Sequence, residues 1–311
     1  MVQPRNVQLV VGAAGDLGHR VVNRMLATAD PHTVRVGVRG GSTGKHAARV
    51  KPWAASGAEV VDLNLGDRET LMRACTGVTT VISTVQGGPE TIIDGQVNLL
   101  DACRATGVVR LVPSDFSEDL FSIPEGINPY LDARRAFARH LEDGAVGYTH
   151  FLNGGFMDVI FASPGLIDAE AGTITFWGDG HMPLDFTTLG DVAAYLVVAI
   201  QTPSTLNSVV EIAGDRRTVH QIAEDYEAAT GRALKRICRG SIEEGYATLR
   251  RMDAEGAHPM AMLPLQYLLP MMSGEGRLRH VANTDYPTIK STSLRTFLGT
   301  APVRVSAEEL R

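Results

Sequence analysis

The sequence predicts an α/β protein, a doubly wound parallel sheet with a smaller C-terminal lobe, and three observations carry that expectation. Short β-branched runs alternate with helical patterns through the first half. Glycines recur at every third residue between the first of those runs and the first helical pattern. Beyond residue 155 the alternation loosens.

Taken in order, the strand candidates are "VQLVVG" from Val7, "VRVGVR" from Val34, "AEVVDL" from Ala58, "TTVIST" from Thr79, "VRLVP" from Val109 and "YTHFLN" from Tyr148. Between them, Leu17 to Thr28, Arg68 to Cys75 and Thr91 to Ala105 carry apolar residues at helical spacing. Further on, "ASPGLIDAEAGTITFWGDGH" is rich in Gly and turn residues, "GDVAAYLVVAIQ" reads as a helix, and "SVVEIAG" reads as a seventh strand returning to the sheet. From Thr218 onward, helical segments and the Pro- and Met-rich "HPMAMLPLQYLLPMM" form the smaller lobe. The expected division is a domain over 1–155, completed by a strand near 208–214, and a mixed α/β and helical lobe over 156–311.

At 311 residues and 44% hydrophobic, the chain buries a large core. No apolar run approaches the ~20 residues that span a bilayer, and the start runs almost directly into a strand pattern, so the expectation is a soluble, cytoplasmic protein with no membrane partner. Lys plus Arg (29) against Asp plus Glu (35) gives a net charge of −6, which argues against a nucleic-acid surface. Cys75, Cys103 and Cys238 are odd in number, far apart and without a CxxC, and read as reduced, mostly buried thiols. The nine histidines show neither HExxH nor tight ligand spacing, so no metal is expected.

In "VVGAAGDLGHRVV" the first glycine, Gly12, permits a tight turn, Gly15 lets backbone approach a pyrophosphate, and Gly18 allows close helix-to-strand packing, while the helix N-terminus attracts the anion. Ala14, Asp16 and Leu17 complete this loop. Its strand-loop-helix context and the alternating units after it predict a Rossmann-type dinucleotide site. At the end of the second strand a carboxylate would meet the ribose of NAD, whereas Arg meets the 2′-phosphate of NADP. The chain has Arg39, followed by "GGSTGK", whose Ser42, Thr43 and Lys45 supply further donors. The blander reading of Arg39 is a solvated loop charge. Asp62, closing the third strand, would lie near the adenine.

Two other motifs overlap that loop. "GGSTGKH" lacks the first P-loop glycine, because position 39 is Arg, and His46 stands where a P-loop has its Mg-binding hydroxyl. "GGSTG" also fits the G-x-S-x-G elbow of a hydrolase with Ser42 as nucleophile, but the only preceding loop is already built for a dinucleotide. Met260, Met262, Met271 and Met272 flank a leucine series, read first as lobe core or subunit contact and second as an adaptable apolar wall for a hydrophobic substrate.

Several segments together resemble the atypical short-chain dehydrogenase/reductases, in particular the isoflavone-reductase-like and NmrA-like group. They are "GAAGDLG", the Arg of "VGVR", "VISTVQGG", Gln96, "RLVPSDF", "NGGFMD", "GDG" followed by "TTLGDVA", and "TDYP", spread over residues 7 to 290. The resemblance implies that Gly12, Gly15, Gly18, Arg39 and Lys45 hold NADP(H), that Thr84, Val85 and Gln86 pass along its ribose and phosphates, and that Asn153, Gly154 and Phe156 bracket the nicotinamide. It also implies a catalytic Lys on the helix after "PSDF", where a wider pattern has Tyr-x-x-x-Lys and an upstream Ser. Here Tyr130 and Ser114 are in place and Arg134 stands for the Lys. Arg does not release a proton at ordinary pH and cannot act as the relay.

Two functions follow as alternatives. One is an NADPH-dependent reductase of a small hydrophobic or aromatic carbonyl, enol-ether or activated alkene, with Tyr130 as proton donor beside a fixed cation. The other is a non-catalytic NADP(H)-binding redox sensor of the NmrA-like type. The partner expected is a small molecule, and a homodimer is an assembly the sequence permits.

Overall fold

The computed structural model describes residues 6–300 apart from 29, 31, 32, 143, 145 and 162–164. In chain order the first elements are β1 (Val7–Val11), α1 (Asp16–Thr28), β2 (Val34–Val38), α2 (Ala47–Ala55), β3 (Glu59–Asp62), α3 (Arg68–Cys75) and β4 (Val78–Ser83). Next come α4 (Gln96–Thr106), β5 (Arg110–Val112), α5 (Pro129–Glu142), β6 (Gly147–Leu152), β7 (Gly155–Phe156), α6 (Met157–Ile160), β8 (Ile167–Asp168) and β9 (Thr173–Phe176). The rest are β10 (Leu184–Thr187), α7 (Leu189–Ala199), β11 (Ser208–Glu211), β12 (Asp215–Arg217), α8 (Val219–Thr230), β13 (Lys235–Cys238), α9 (Ile242–Ala254), α10 (Pro259–Ser273) and α11 (Leu294–Thr300). No helix among the described residues is long and apolar enough to cross a membrane.

Two compact units interleave along the chain. The first takes the residues up to Asp115, Pro129–Phe151 and Val192–Val210; the second takes Phe116–Asn128, Leu152–Asp191 and the residues from Glu211 onward. The expected division, 1–155 completed by a strand near 208–214, placed neither the loop after β5 in the second unit nor most of α7 in the first.

The first unit is built on a seven-stranded sheet in the order β11-β6-β5-β4-β1-β2-β3. The pairs β1/β2, β2/β3, β1/β4, β4/β5 and β5/β6 are all parallel. Successive strands run outward from β1 through β2 to β3, and then outward on the other side from β4, so the chain reverses direction between β1 and β4. Such a switch point leaves a crevice beyond the carboxyl ends of the strands. The strands are continuous hydrophobic runs because helices cover both faces; Leu9, Val11, Val81, Leu99, Leu111 and Phe137 share one core cluster.

Local sequence explains the helices that matter. Asp67 caps α3, accepting from Glu69 N–H. In α5, Pro129 occupies the first turn, where no N–H is needed, and Leu131, Ala133, Phe137, Ala138 and Leu141 make one buried stripe. The helix expected over Thr91–Ala105 opens instead as a π-helical turn, Glu90–Gly95, before α4. Buried Arg110 of β5 donates to Ile200 O and Thr205 Oγ1, each at 3.0 Å, satisfying groups at the end of α7.

The second unit carries two three-stranded sheets, β12-β10-β7 and β13-β9-β8, where the sequence showed only loosened rhythm. Strands of two to four residues are too short to print a period of two. Capping boxes open α8 (Thr218 with Gln221) and α9 (Ser241 with Glu244). Of the methionines on α10, Met262, Met271 and Met272 are buried in the core of this unit, while Met260 is 60% exposed. The three cysteines are free: Cys75 and Cys103 are buried and Cys238 is exposed.

Candidate functional site

The crevice at the switch point is a cleft of about 670 Å³, within the range of small-molecule sites. The loop from β1 to α1 forms one wall, and each glycine has a physical reason. Gly12 has φ 78°, and a Cβ there would lie 2.9 Å from the carbonyl of Thr84. At Gly18 a Cβ would lie 2.5 Å from Gly12 O and 2.6 Å from Thr84 Oγ1, so only glycine lets α1 press against β1 and β4. Gly15 differs: the one atom near its Cβ position is Gly12 O at 3.3 Å, and the residue lines the cleft. Gly15 N–H donates to Gly12 O and Thr84 Oγ1 to Val11 O, both at 2.9 Å, so the loop is fixed before any ligand arrives. Open space over Gly15 at a helix N-terminus fits a pyrophosphate.

Ala14, Asp16, Leu17, Arg39, Thr84, Val85 and Gln86 also line the cleft, as the sequence led one to expect. Other expected residues do not. Lys45 is exposed and off the lining, where its neighbour His46 contributes instead. Burial, and then the nearby cations Lys45, Arg39 and Arg49, hold the His46 pKa below its ordinary value. Asp62, expected near the adenine, accepts from Gly40 N–H at 2.7 Å and orders the turn after β2. Asn64 and Asn98 line the cleft in its stead. Arg49 of α2 donates to Ala14 O, with its guanidinium 4.0 Å from the Asp16 carboxylate, a brace that no motif spacing signals. Glu90 and Asp94 reach the cleft from the π-helical turn, which interrupts the helical period that would have placed them.

The three catalytic candidates meet through backbone atoms. Ser114 is buried; its N–H donates to Gln96 Oε1 at 3.0 Å and its hydroxyl to Val85 O at 2.7 Å. Arg134 donates from Nε to Ser114 O and from Nη1 to Tyr130 O, both at 2.8 Å. The guanidinium therefore clips the first turn of α5 to the end of β5, and its contact with Tyr130 is to the carbonyl and not the phenol. Behind Ser114, Asp115 is wholly buried and pairs with His150 Nδ1 at 2.5 Å.

Asn153, Gly154 and Phe156 lie in the second unit. Asn153 Nδ2 donates to Gly154 O at 2.9 Å, Thr187 Oγ1 donates to Asn153 O at 2.8 Å, and Gly154 takes φ 66°. Asn153 Oδ1 is buried with no hydrogen-bond partner among the described residues.

Comparison with known proteins bears on family and fold. The model of the NmrA-like family matches residues 5–255. The chain belongs to the NmrA-like family. It is 25% identical over 237 residues to the bifunctional pinoresinol-lariciresinol reductase 1 of Linum usitatissimum, covering 73% of this chain and 76% of that one. It is 29% identical over 244 residues to the isoflavone reductase homolog IRL of Zea mays, covering 76% and 78%. Among solved structures, an isoflavone reductase superposes with TM-score 0.82 at 20% identity, over 94% of this chain and 98% of that one. A second, AtPrR2 with NADP+ and (+)pinoresinol, superposes with TM-score 0.80 at 21% identity, over 95% and 98%. These likenesses establish the Rossmann-type fold.

Proposed function

We propose that this protein is an NADPH-dependent reductase of a small oxygenated aromatic compound. The observation that carries the proposal is the cleft itself: glycines at 12 and 18 that nothing larger can replace, an open Gly15 at a helix N-terminus, and a cationic end at Arg39. The relatives named as reductases of pinoresinol and lariciresinol, and the neighbour solved with NADP+, support the cofactor and the substrate class.

In this reading the loop around Gly15 and the N-terminus of α1 hold the pyrophosphate, Arg39 with His46 meets the 2′-phosphate, and Thr84 to Gln86 line the ribose path. Bound NADPH supplies a hydride. Ser114 holds the chain at Val85 through its hydroxyl, Arg134 fixes the start of α5, and Tyr130 is the proton donor to a substrate oxygen. Arg39→Ala should cost about 1.5–3 kcal/mol of NADPH binding, the worth of one charge-assisted phosphate contact, and leave NADH binding almost unchanged. Calorimetric titration checks this; equal affinity of the unmutated protein for both cofactors would remove the Arg39 assignment.

One observation favours a second reading, an NADP(H)-binding sensor that turns nothing over. Arg134 stands where related reductases carry a titratable lysine, and its Nε and Nη1 are engaged with carbonyls. Incubation with NADPH and a panel of lignans, isoflavones and aromatic ketones separates the two. Substrate-dependent loss of NADPH absorbance supports the reductase, and its absence across the panel supports the sensor.

A further inference from the structure

Glu118, in the second unit, has the features of a group built for a ligand. Its side chain is buried, with 2% of the residue exposed, and neither carboxyl oxygen has a hydrogen-bond partner among the described residues. It borders a narrow crevice with no room for a water molecule, whose other walls include Gly154, Leu184, Met271, Gly276 and Arg277. A Cβ at Gly276 would lie 2.9 Å from Glu118 Oε2, so any larger residue there would crowd the carboxyl. The backbone around it is fixed: Asn153 N–H and Gly154 N–H donate to Ser117 O at 2.8 and 3.0 Å, and Asp119 N–H donates to Gly276 O at 3.0 Å.

A buried carboxyl without partners destabilises a fold, and a leucine or methionine of similar size would cost less. Such a local violation is expected where a ligand completes the hydrogen bonding. Arg277 lies on the crevice wall but forms no ion pair with Glu118, while the adjacent Asp119 carboxylate opposes a second negative charge. Burial, first, and Asp119, second, raise the Glu118 pKa well above the ordinary carboxylate value, which makes its O–H available as a donor. The carboxyl therefore has no ordered-water partner within the crevice, which is too narrow for one. Of its wall side chains, the unbranched Met271 and the exposed Arg277 have the most rotamer freedom.

We propose that Glu118 is a ligand-recognition residue, donating its carboxyl O–H to a neutral oxygen, carbonyl, ether or phenol, of an aromatic molecule that enters this crevice by displacing Met271 and Arg277. The identity of that molecule as the reductase substrate rests on the reading above; the binding site does not. Proton donation selects an uncharged acceptor, and Pro183, Leu184 and Met271 select an apolar body.

Infrared difference spectroscopy tests this on the whole protein carrying isotopically labelled glutamate, with pinoresinol, an unsubstituted isoflavone and acetophenone as probes. The expected result is a protonated-carboxyl C=O band that is lost in Glu118→Gln and moves to lower frequency when at least one probe is added. Glu118→Met, which removes the donor at similar length, should weaken binding of that probe roughly tenfold. The band is read on the unmutated protein, so its response remains a test if a variant fails to fold. An absent band, a band that no probe moves, or unweakened binding by folded Glu118→Met would overturn the proposal. NADPH consumption measured in parallel judges the reductase reading separately, because a shifted band without turnover keeps the site and removes the enzyme.

Discussion

The corner around Arg134 and the crevice around Glu118 dispose of an ionisable side chain in opposite ways. Arg134 in the first unit is half-buried and gives hydrogen bonds to two carbonyls, at the end of β5 and in the first turn of α5. Glu118 in the second unit is almost fully buried and gives none. A cation with a fixed geometry and several donors completes protein acceptors by itself, whereas an acid with no donor aimed at it leaves its bonding for something else to complete. Position in a familiar motif therefore predicted chemical work at Arg134, where the contacts describe a structural clip. A residue with no motif behind it carries the unused hydrogen-bonding capacity.

The most damaging way to break the comparison is to remove the clip. Arg134→Ala leaves Ser114 O without its charged donor and loosens the start of α5, and hydrogen bonds to charged groups contribute about 1.5–3 kcal/mol each. With both bonds lost and partial replacement by water, the expected destabilisation is about 2–4 kcal/mol, read as a lower midpoint in urea at unchanged slope. Arg134→Lys keeps one bond at most and should lose about half as much. A variant as stable as the unmutated protein would show that the clip is incidental and return Arg134 to chemistry.

Glu118 should show itself through pH. Its folded-state pKa lies well above the ordinary carboxylate value near 4.5, so the folded chain retains a proton that the unfolded chain gives up. That contribution to stability is fully present below the unfolded pKa and is lost as pH rises toward the folded one, by about 1.4 kcal/mol per pH unit within that window. Glu118→Gln is neutral throughout and should remove this slope, so the variant overtakes the unmutated protein in thermal stability as pH rises from acid toward neutral. Parallel curves for the two proteins would mean that Glu118 ionises freely and that the contrast with Arg134 is false.

What the sequence made legible follows the same division. The glycine loop, Arg39 and the Thr84 to Gln86 stretch were readable because each is a contiguous motif whose spacing is set by backbone geometry at one strand end. His46 and Arg49 were not, since they enter from the start of α2, whose rotation against the loop no spacing rule encodes. Asp62 stays off the cleft lining and accepts from a turn N–H, a service a strand-end carboxylate gives as well as it serves a ligand. The crevice was invisible: Glu118, Leu184, Met271 and Gly276 are brought together by chain segments far apart in sequence. Its decisive property, a carboxyl without a donor, exists only after folding.

The smallest structural effect, and the sharpest functional one, belongs to Tyr130→Phe. Arg134 binds the carbonyl of Tyr130, which the substitution leaves in place, so the clip survives and the loss of stability should be smaller than that of Arg134→Ala. Cofactor affinity should hold as well, because Tyr130 is not among the residues lining the cleft. If the phenol donates the proton, turnover of a responsive substrate should still fall by ~10²–10⁴, the usual contribution of a positioned general acid. Stopped-flow NADPH oxidation beside a thermal melt separates these quantities in one preparation. Full turnover by the Phe variant of an active unmutated enzyme would remove Tyr130 from the reaction and leave the start of α5 with a purely architectural role.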